Sequence, residues 1–244
     1  MEPTTLIFAV AAVTAGAVVR GYSGFGSSLL WVSSLSLVLP PAKVVPTVFM
    51  LEILASARLL PKVWTLADWR SLRWLLLGTV LGTPPGIFLL ATLPAAPVRV
   101  AISLVVLSAT VLIWRGFTLQ AIPGPGPTVL TGLACGLSNG WTGIGGPPAI
   151  LFYFSSPAAV AVSRASLIAF FLVLDALGLA MATTQDLVTS EVLLLAGLLA
   201  GPVLIGIALG NRRFLRTEPE TFRRFVLVLL AALSLAVFLR AILG

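Results

Sequence analysis

The chain has 244 residues, of which 59% are hydrophobic and only 9% are charged, whereas a soluble domain carries roughly 25% charged residues. Apolar stretches of about 20 residues, the length that crosses a bilayer, recur along the whole sequence, which excludes a soluble globular protein. The net charge of +7 does not indicate nucleic-acid binding, because Lys and Arg lie mostly at the ends of apolar segments, where they orient a membrane protein.

Two features of the composition restrict the chemistry. The sequence has no histidine and a single cysteine, Cys135, which excludes an internal disulfide and removes the commonest general base and metal ligand. We therefore expect no enzymatic activity, no cofactor and no metal site. Only four residues precede the first apolar run and no small-residue cleavage site follows it, so we expect a retained membrane segment and not a removed signal peptide.

The predicted elements follow one another in two similar series. The first half has apolar runs at about 5–19, 27–39, 43–60, 71–92 and 98–117, and the second half has them at about 128–138, 147–156, 158–183, 190–210 and 222–243. Leu, Val and Ala dominate these runs, so we expect helices, because a helix satisfies its own backbone hydrogen bonds in lipid.

Two glycine-rich segments separate the first two runs of each half and read almost alike. RGYSGFGS occupies 20–27 and NGWTGIGG occupies 139–146, an offset of 119 residues. The same offset places Gly82 on Gly201. The match predicts an N-terminal repeat over 1–117, a linker over 118–127 and a C-terminal repeat over 128–244, which together form one membrane domain.

The charges of equivalent loops are opposite in the two halves. Between the third and fourth runs the first half carries Arg58, Lys62, Arg70 and Arg73, and the second half carries Asp186 and Glu191. Between the fourth and fifth runs the first half has only Arg99, and the second half has Arg212, Arg213, Arg216, Arg223 and Arg224. Because positive loops stay in the cytoplasm, equivalent loops lie on opposite sides of the membrane, and both termini are predicted outside.

This inverted topology requires an odd number of crossings per repeat. The first two runs of each repeat must then contribute either no crossing or two. We favour broken, partly re-entrant helices over two short tilted spans, and the parity argument leaves both open. The predicted fold is an all-α integral membrane protein with two inverted-topology repeats, each a broken or re-entrant helix pair followed by three transmembrane helices.

Inverted repeats with discontinuous helices are typical of secondary transporters that bind substrate near the membrane midplane. The glycines let the backbone leave the helix, Pro147 and Pro148 suit the first turn of a following helix, and Ser27 and Ser28 suit its cap. Two helix N-termini, each equivalent to about half a positive charge, would converge on one spot. The breaks therefore predict an anion site.

The candidate substrate-binding residues come from both breaks. They are Arg20, Tyr22, Ser23, Gly24, Gly26, Ser27, Ser28, Asn139, Trp141, Thr142, Gly143, Gly145, Gly146 and Pro147. We expect Gly145 to leave space for the anion and Arg20 to supply charge. The alternatives are helix packing for the glycines, extension of Arg20 to the membrane interface, interface or packing roles for Tyr22 and Trp141, and satisfaction of freed backbone groups for Asn139.

Two acids lie inside apolar runs, Glu52 in the first half and Asp175 in the second. Charge at such depth is costly and usually marks an ion path or a proton relay, so both are candidates for proton coupling. The alternative is a neutral, hydrogen-bonded acid or an ion pair, such as Glu52 with Arg58. Lys43 and Arg164 begin the third runs and are candidates for additional positive charge, although Lys43 also suits an anchor at the membrane surface.

The two breaks also carry a family resemblance. GYSGFGSSLLWV in the first half and GWTGIGGPPAILFY in the second resemble the sulfite exporter TauE/SafE family of bacterial membrane transporters, over nearly the whole chain. The first departs from the family where further glycine and a proline are common, at Ser27, Ser28, Ser33 and Ser34. The resemblance implies a multi-pass protein of the bacterial inner membrane that transports sulfite, sulfoacetate or another organosulfonate.

Three functions remain to be compared. The leading one is a secondary transporter of a small anion, with the lipid bilayer, the anion and protons as partners. A passive anion channel would use the same positive field without alternating access. A membrane-embedded enzyme is disfavoured by the lack of histidine and of metal-ligand spacing, and no phosphate-binding loop for ATP is present.

Overall fold

The computed structural model describes residues 2–115, 123–154 and 159–213, together with Leu235 and Leu239. The helices in this part are α1 (Pro3–Ser23), α2 (Ser27–Leu35), α3 (Pro41–Leu59), α4 (Trp69–Thr92), α5 (Ala95–Arg115), α6 (Pro125–Thr142), α7 (Gly146–Phe154), α8 (Val160–Thr184) and α9 (Ser190–Arg213). Two 3₁₀ turns, Leu60–Lys62 and Trp64–Leu66, join α3 to α4. The all-α prediction is therefore confirmed. The run predicted at 222–243, apart from Leu235 and Leu239, and residues 118–122 of the linker lie outside the described residues.

Four described helices are long and apolar enough to cross a membrane. They are the segments Pro3–Tyr22, Trp69–Thr92, Ala161–Thr184 and Ser190–Asn211. Large apolar side chains on these helices point outward, including Leu81, Phe88, Leu194 and Ile205. An apolar surface of this kind is what a lipid environment requires and what a soluble monomer avoids.

Each glycine break joins one long helix to one short helix. α1 has 21 residues and α2 has nine, so their lengths are about 31 Å and about 13 Å. α6 and α7 repeat this pattern with 18 and nine residues. The boundary predicted at residue 19 was wrong because Arg20 was expected to end the apolar run, whereas the structure buries Arg20 inside α1.

Gly24 and Gly143 end the two long helices in the same way. Their φ angles are 83° and 72°, in the left-handed region, which glycine adopts without the strain of a side chain. The Gly24 N–H donates to the Arg20 carbonyl at 2.8 Å, and the Gly143 N–H donates to the Asn139 carbonyl at 2.7 Å. Both helices thus end in an αL cap, as the helix-breaking role of these glycines predicts.

The closest helix pairs join one half of the chain to the other. A Cβ at Gly82 of α4 would lie 2.2 Å from the Leu133 carbonyl oxygen of α6, and a Cβ at Gly206 of α9 would lie 2.7 Å from the Thr14 carbonyl oxygen of α1. Such backbone contact is the close packing that small residues permit between membrane helices. The first helix of each half therefore packs on the fourth helix of the other half.

These contacts also give the register of the fourth helices. In α4, Gly82 lies against the Leu133 carbonyl of α6, and Gly86, one turn later, lies against the Leu137 carbonyl. In α9, Gly206 lies against the Thr14 carbonyl of α1, and Gly210 lies against the Val18 carbonyl. Both pairs therefore run parallel. Leu133 follows Thr14 by 119 residues, so the contacts equate Gly82 with Gly206.

The predicted equivalence of Gly82 with Gly201 was therefore wrong by five residues. A Cβ at Gly201 would meet no described atom within 4 Å. The contact that Gly82 makes in α4 is made in α9 by Gly206, which follows Gly82 by 124 residues.

Candidate functional site

Arg20 lies in a buried polar cluster between α1 and α3. Its side chain is 1% exposed, and Nη2 donates to Ser56 Oγ at 2.7 Å and lies 3.3 Å from Glu52 Oε2. A guanidinium held in this way does not extend to the membrane interface. The interface alternative for Arg20 is therefore excluded, and its charge is available in the protein interior.

One nitrogen of this guanidinium is not satisfied by the described protein. Arg20 Nε is buried and has no hydrogen-bond partner among the described residues. The guanidinium carbon lies 5.0 Å from the centre of the Phe171 ring, in the range of a cation–π contact. A buried donor without an acceptor costs about 1–3 kcal/mol, so a further acceptor at this nitrogen would be stabilising.

Glu52 is held at the first break by Arg20 and Ser27. Its carboxylate is nearly fully buried, its Oε1 accepts a hydrogen bond from Ser27 Oγ, and it pairs with Arg20. The alternative pairing of Glu52 with Arg58 was wrong, because the Arg58 side chain is exposed.

Ser27 is the first residue of α2, and the cap position is Gly26, which makes no side-chain cap bond. The predicted capping role of Ser27 is therefore wrong, since its hydroxyl bonds to a side chain of α3. The Glu52 carboxylate consequently lies at the N-terminus of α2, where the helix dipole stabilises negative charge.

Asp175 lies in the same cluster from the other half of the chain. It is 3% exposed, and its Oδ1 accepts a hydrogen bond from Asn139 Nδ2 at 3.1 Å. It is also close enough to Glu52 and Arg20 to interact electrostatically with both. The two candidate coupling acids and the two break residues, Arg20 and Asn139, therefore belong to one buried cluster.

The hydrogen bonds of the two halves join equivalent positions. The Arg20–Ser56 bond and the Asn139–Asp175 bond each span 36 residues, and Asp175 follows Ser56 by the same 119 residues that separate Asn139 from Arg20. The backbone arrangement is thus repeated while the charge changes place, from a cation on α1 to an acid on α8.

The second break has a different residue at the position that corresponds to Glu52 of the first break. Phe171 follows Glu52 by 119 residues, and its Cζ lies 3.5 Å from where a Cβ would stand on Gly146, the first residue of α7. Glu52 and Phe171 therefore occupy equivalent places at the starts of α2 and α7. One place holds a carboxylate and the other an aromatic ring.

Arg164 and Lys43 have different surroundings. Arg164 is half-buried against the first break, since a Cβ on Gly24 would lie 2.8 Å from its Cγ and Nε. Lys43 instead pairs with Glu191 at the start of α9, where both side chains are exposed. Because Lys43 precedes Glu52 by nine residues, it lies about 13 Å along α3 from the cluster. The structure thus brings Arg164 to the first break and leaves Lys43 at the surface.

Gly145 does not border empty space. A Cβ there would lie 2.6 Å from Leu174 Cδ2, 2.8 Å from Asn139 Cβ and 2.9 Å from the Cys135 carbonyl oxygen. The expectation that Gly145 leaves room for an anion was therefore wrong, because protein atoms fill that room. Its small size instead lets α7 begin directly against Asn139.

The remaining candidates lie at the breaks with other partners. Thr142 is buried and donates to the Ser138 carbonyl at 2.8 Å, within its own helix. Trp141 is half-buried, and its Nε1 is buried without a hydrogen-bond partner in the described part of the chain. Tyr22 and Pro147 are buried and Ser28 is half-buried. The side chain of Ser23 lies outside the described residues.

Comparison with known proteins places the chain in a family. The model of the family described as "Sulfite exporter TauE/SafE" matches residues 8–237. The chain belongs to the sulfite exporter TauE/SafE family. It is therefore a multi-pass membrane transporter and not an enzyme, as the resemblance of the two breaks implied.

A curated relative gives the same assignment. The "Probable sulfite/organosulfonate exporter TauE" of Cupriavidus necator is 27% identical over 237 residues, which cover 93% of this chain and 91% of the relative. No solved structure matches the chain.

Two residues of the candidate site were missed in the sequence, Ser56 and Phe171. Neither residue type stands out in an apolar segment. The signal that would have found them is the offset of 119 residues, since Ser56 is the counterpart of Asp175 and Phe171 is the counterpart of Glu52. Applying the repeat to the acids as well as to the glycines points to both positions.

Proposed function

We propose that this family member is a secondary transporter that carries sulfite or an organosulfonate, and that the anion binds at the cluster around Arg20. The observation that carries the proposal is a guanidinium buried to 1% exposure with Nε unsatisfied by the described protein. The Cupriavidus relative, described as an exporter of sulfite and organosulfonates, supports this substrate class.

The chemistry of the first break suits an oxyanion. A guanidinium presents planar, parallel N–H donors that match the oxygens of a carboxylate, phosphate or sulfonate. The N-terminus of α2 adds its dipole, and Arg164, which interacts electrostatically with Arg20, adds a second positive group. Sulfite and sulfonates offer several oxygens around one small centre, so one anion can meet more than one of these donors.

The arrangement of the two halves supports inverted-topology repeats. The equivalent hydrogen bonds of Arg20 and Asn139 and the paired packing of α1 on α9 and α4 on α6 are expected of two copies of one unit. The sequence places basic residues after α9 and before α4, which supports opposite orientations of the copies and both termini outside. Rocking of one copy against the other would expose the central site to each side in turn.

Glu52 and Asp175 are the proposed proton carriers. Both carboxyl groups are buried in the region where a transporter binds its substrate, and they interact with each other and with Arg20. A buried carboxylate that loses its cation is stabilised by protonation. Proton coupling is supported by this proximity, because movement of the Arg20 charge changes the environment of both acids.

Burial of the cluster favours a carrier over a channel. Arg20, Glu52 and Asp175 are each at most 3% exposed, so these three residues are closed to bulk solvent in the state described by the structure. A carrier has such an occluded state in its cycle, while conduction through a channel requires a continuous path.

Counterflow in proteoliposomes tests the proposed function. Vesicles loaded with unlabelled sulfite or sulfoacetate should accumulate the labelled anion transiently and saturably from outside. Vesicles that contain the Arg20→Gln variant should accumulate much less. Uptake that never exceeds equilibrium and does not saturate would identify a channel, and the absence of exchange with every sulfur oxyanion would reject the substrate class.

A further inference from the structure

The carboxylate of Glu52 occupies the place that the first break offers to an anion. Three features predict anion binding there: the Arg20 guanidinium, the Ser27 hydroxyl and the N-terminus of α2. All three are directed at Glu52, which lies 3.3 Å from Arg20 Nη2, accepts a hydrogen bond from Ser27 and adjoins the first turn of α2. The protein thus fills its own anion site with one of its side chains.

A substrate anion at Arg20 would conflict with this carboxylate. Arg20 Nη2 already donates to Ser56 and faces Glu52, and Nε has no hydrogen-bond partner among the described residues. Two anions on one guanidinium in a protein interior repel each other strongly, because the effective dielectric constant is low. An anion that takes both Nε and Nη2 in bidentate fashion therefore requires Glu52 to leave or to become neutral.

Among the described residues, the second break carries different groups at the positions of Glu52 and Arg20. Phe171 stands where Glu52 stands in the first half, close to Gly146 at the start of α7. The counterpart of Arg20 is Asn139, whose amide donates to Asp175. An aromatic ring and a neutral amide carry no positive charge to attract an anion. This difference in charge between the two breaks favours anion binding at the first break.

We infer that Glu52 is a built-in competitor of the substrate: it holds Arg20 while the site is empty, the anion displaces it, and the displaced carboxylate takes up one proton. This inference rests on the proposed function and adds how anion and proton are linked. The charge balances, since one negative charge enters the cluster on the anion and one positive charge enters on the proton. No bond other than the carboxyl O–H is formed.

The groups that face Glu52 support this exchange. In the described part of the chain they are Arg20 from α1 and Asp175 from α8, with Arg164 of α8 acting on Arg20. α2 contains no titratable residue, the charged residues of α9 lie at its two ends, and Arg99 of α5 donates to the Ser36 carbonyl. Arg20 is therefore the cation that is paired with Glu52, and an anion that takes Arg20 removes this partner from a buried carboxylate.

Calorimetric titration of the purified full-length protein with methanesulfonate tests the inference. This probe stays a monoanion throughout the usable pH range, so any linked proton belongs to the protein. Titrations in two amine buffers with different ionisation enthalpies give the number of protons taken up; sulfonate buffers are avoided because they resemble the ligand. Wild-type protein should take up about one proton per anion.

The Glu52→Gln variant should bind methanesulfonate more tightly and take up no proton. Loss of a charge-assisted contact that competes with the ligand predicts about 10- to 100-fold tighter binding. Glu52→Asp keeps the carboxylate and should keep the proton uptake. Glu191→Gln removes an ion-paired but exposed acid and should match the wild type in both measurements.

The possible results separate failure of the inference from failure of the proposed function. Unchanged or weaker binding by Glu52→Gln, or wild-type binding without proton uptake, overturns the inference and leaves the proposed function intact. The second of these results needs no variant, so a Glu52→Gln protein that fails to fold does not prevent the test. If the wild type binds neither methanesulfonate nor sulfite, the proposed function fails and the inference fails with it.

Discussion

The Asn139 side-chain amide donates to Asp175 Oδ1 at 3.1 Å, and this bond is the counterpart of the bond from Arg20 to Ser56. Each bond ties the last turn of a broken helix to the third helix of its own half. The two halves therefore brace their breaks in the same manner. They differ in where the charge lies, since Arg20 is the donor in the first half and Asp175 is the acceptor in the second.

Replacing Asn139 with Ala should destabilise the protein by about 1–3 kcal/mol, because it leaves a buried carboxyl group without its amide donor. The melting temperature of the detergent-purified protein measures this loss. Asn211→Ala is the matched control, since Asn211 is exposed on α9 and surface changes usually stay within about 0.5 kcal/mol. Equal melting temperatures for the two variants would contradict a bracing role for Asn139.

Arg20→Gln should weaken binding of sulfite or a sulfonate by about 10- to 100-fold, which corresponds to the loss of one charge-assisted hydrogen bond of about 1.5–3 kcal/mol. An anion-binding titration of the purified protein measures the change. Lys43→Gln removes an exposed cation that pairs with Glu191, and its affinity should stay close to the wild type. Unchanged affinity in Arg20→Gln would mean that the substrate binds elsewhere.

Asp175→Asn should remove the dependence of transport on a pH gradient while counterflow of the anion continues. The amide cannot carry the proton, yet its oxygen can still accept the hydrogen bond from Asn139. Uptake into proteoliposomes with and without an imposed pH gradient measures the effect. Asp186→Asn is the control, because Asp186 is exposed and its φ of 55° is tolerated by asparagine. Full retention of pH-driven uptake in Asp175→Asn would assign this acid to structure.

Single cysteines at Thr65 and Gln185 should react with an impermeant maleimide from opposite sides of the membrane. The loop at 61–70 is basic and that at 184–190 is acidic, so the first is expected in the cytoplasm and the second outside. Both positions are exposed, and the background Cys135→Ala removes a buried thiol. Labelling of both from one side would reject the inverted orientation of the halves.

Gly82→Ala should lower the melting temperature, whereas Gly201→Ala should leave it unchanged or raise it. A Cβ at Gly82 would lie 2.2 Å from the Leu133 carbonyl oxygen, while one at Gly201 would meet no described atom within 4 Å. Alanine also favours a helix over glycine by about 1 kcal/mol. Equal destabilisation by the two substitutions would contradict the contact of α4 with α6.

The sequence was sufficient for features that depend on local chemistry. It predicted that both glycine segments end helices, and Gly24 and Gly143 do so in the left-handed conformation. It also predicted that a helix begins at the double proline, and α7 begins at Gly146, directly before Pro147. These features follow from glycine and proline backbone preferences, which need no partner elsewhere in the chain.

Features that depend on distant partners were not accessible in the same way. Arg20 was expected to end its apolar run, but a carboxylate 32 positions later in the sequence makes its burial tolerable. Gly145 was assigned to ligand space, although Leu174 and Asn139 fill that space. Helical periodicity shows which residues share a face of one helix, and it does not show what another helix places against that face.

The pairing of α1 with α9 and of α4 with α6 means that each half of the chain completes its packing on the other half. The first helix of each half lies against the fourth helix of the other half, as elements exchanged between two chains would. The backbone contacts that Gly82 and Gly206 make possible are therefore lost to either half when the other is absent. Two fragments separated between α5 and α6 would therefore have to be expressed together to assemble. A substitution at a contact glycine of one fragment would weaken the packing of the other fragment on it.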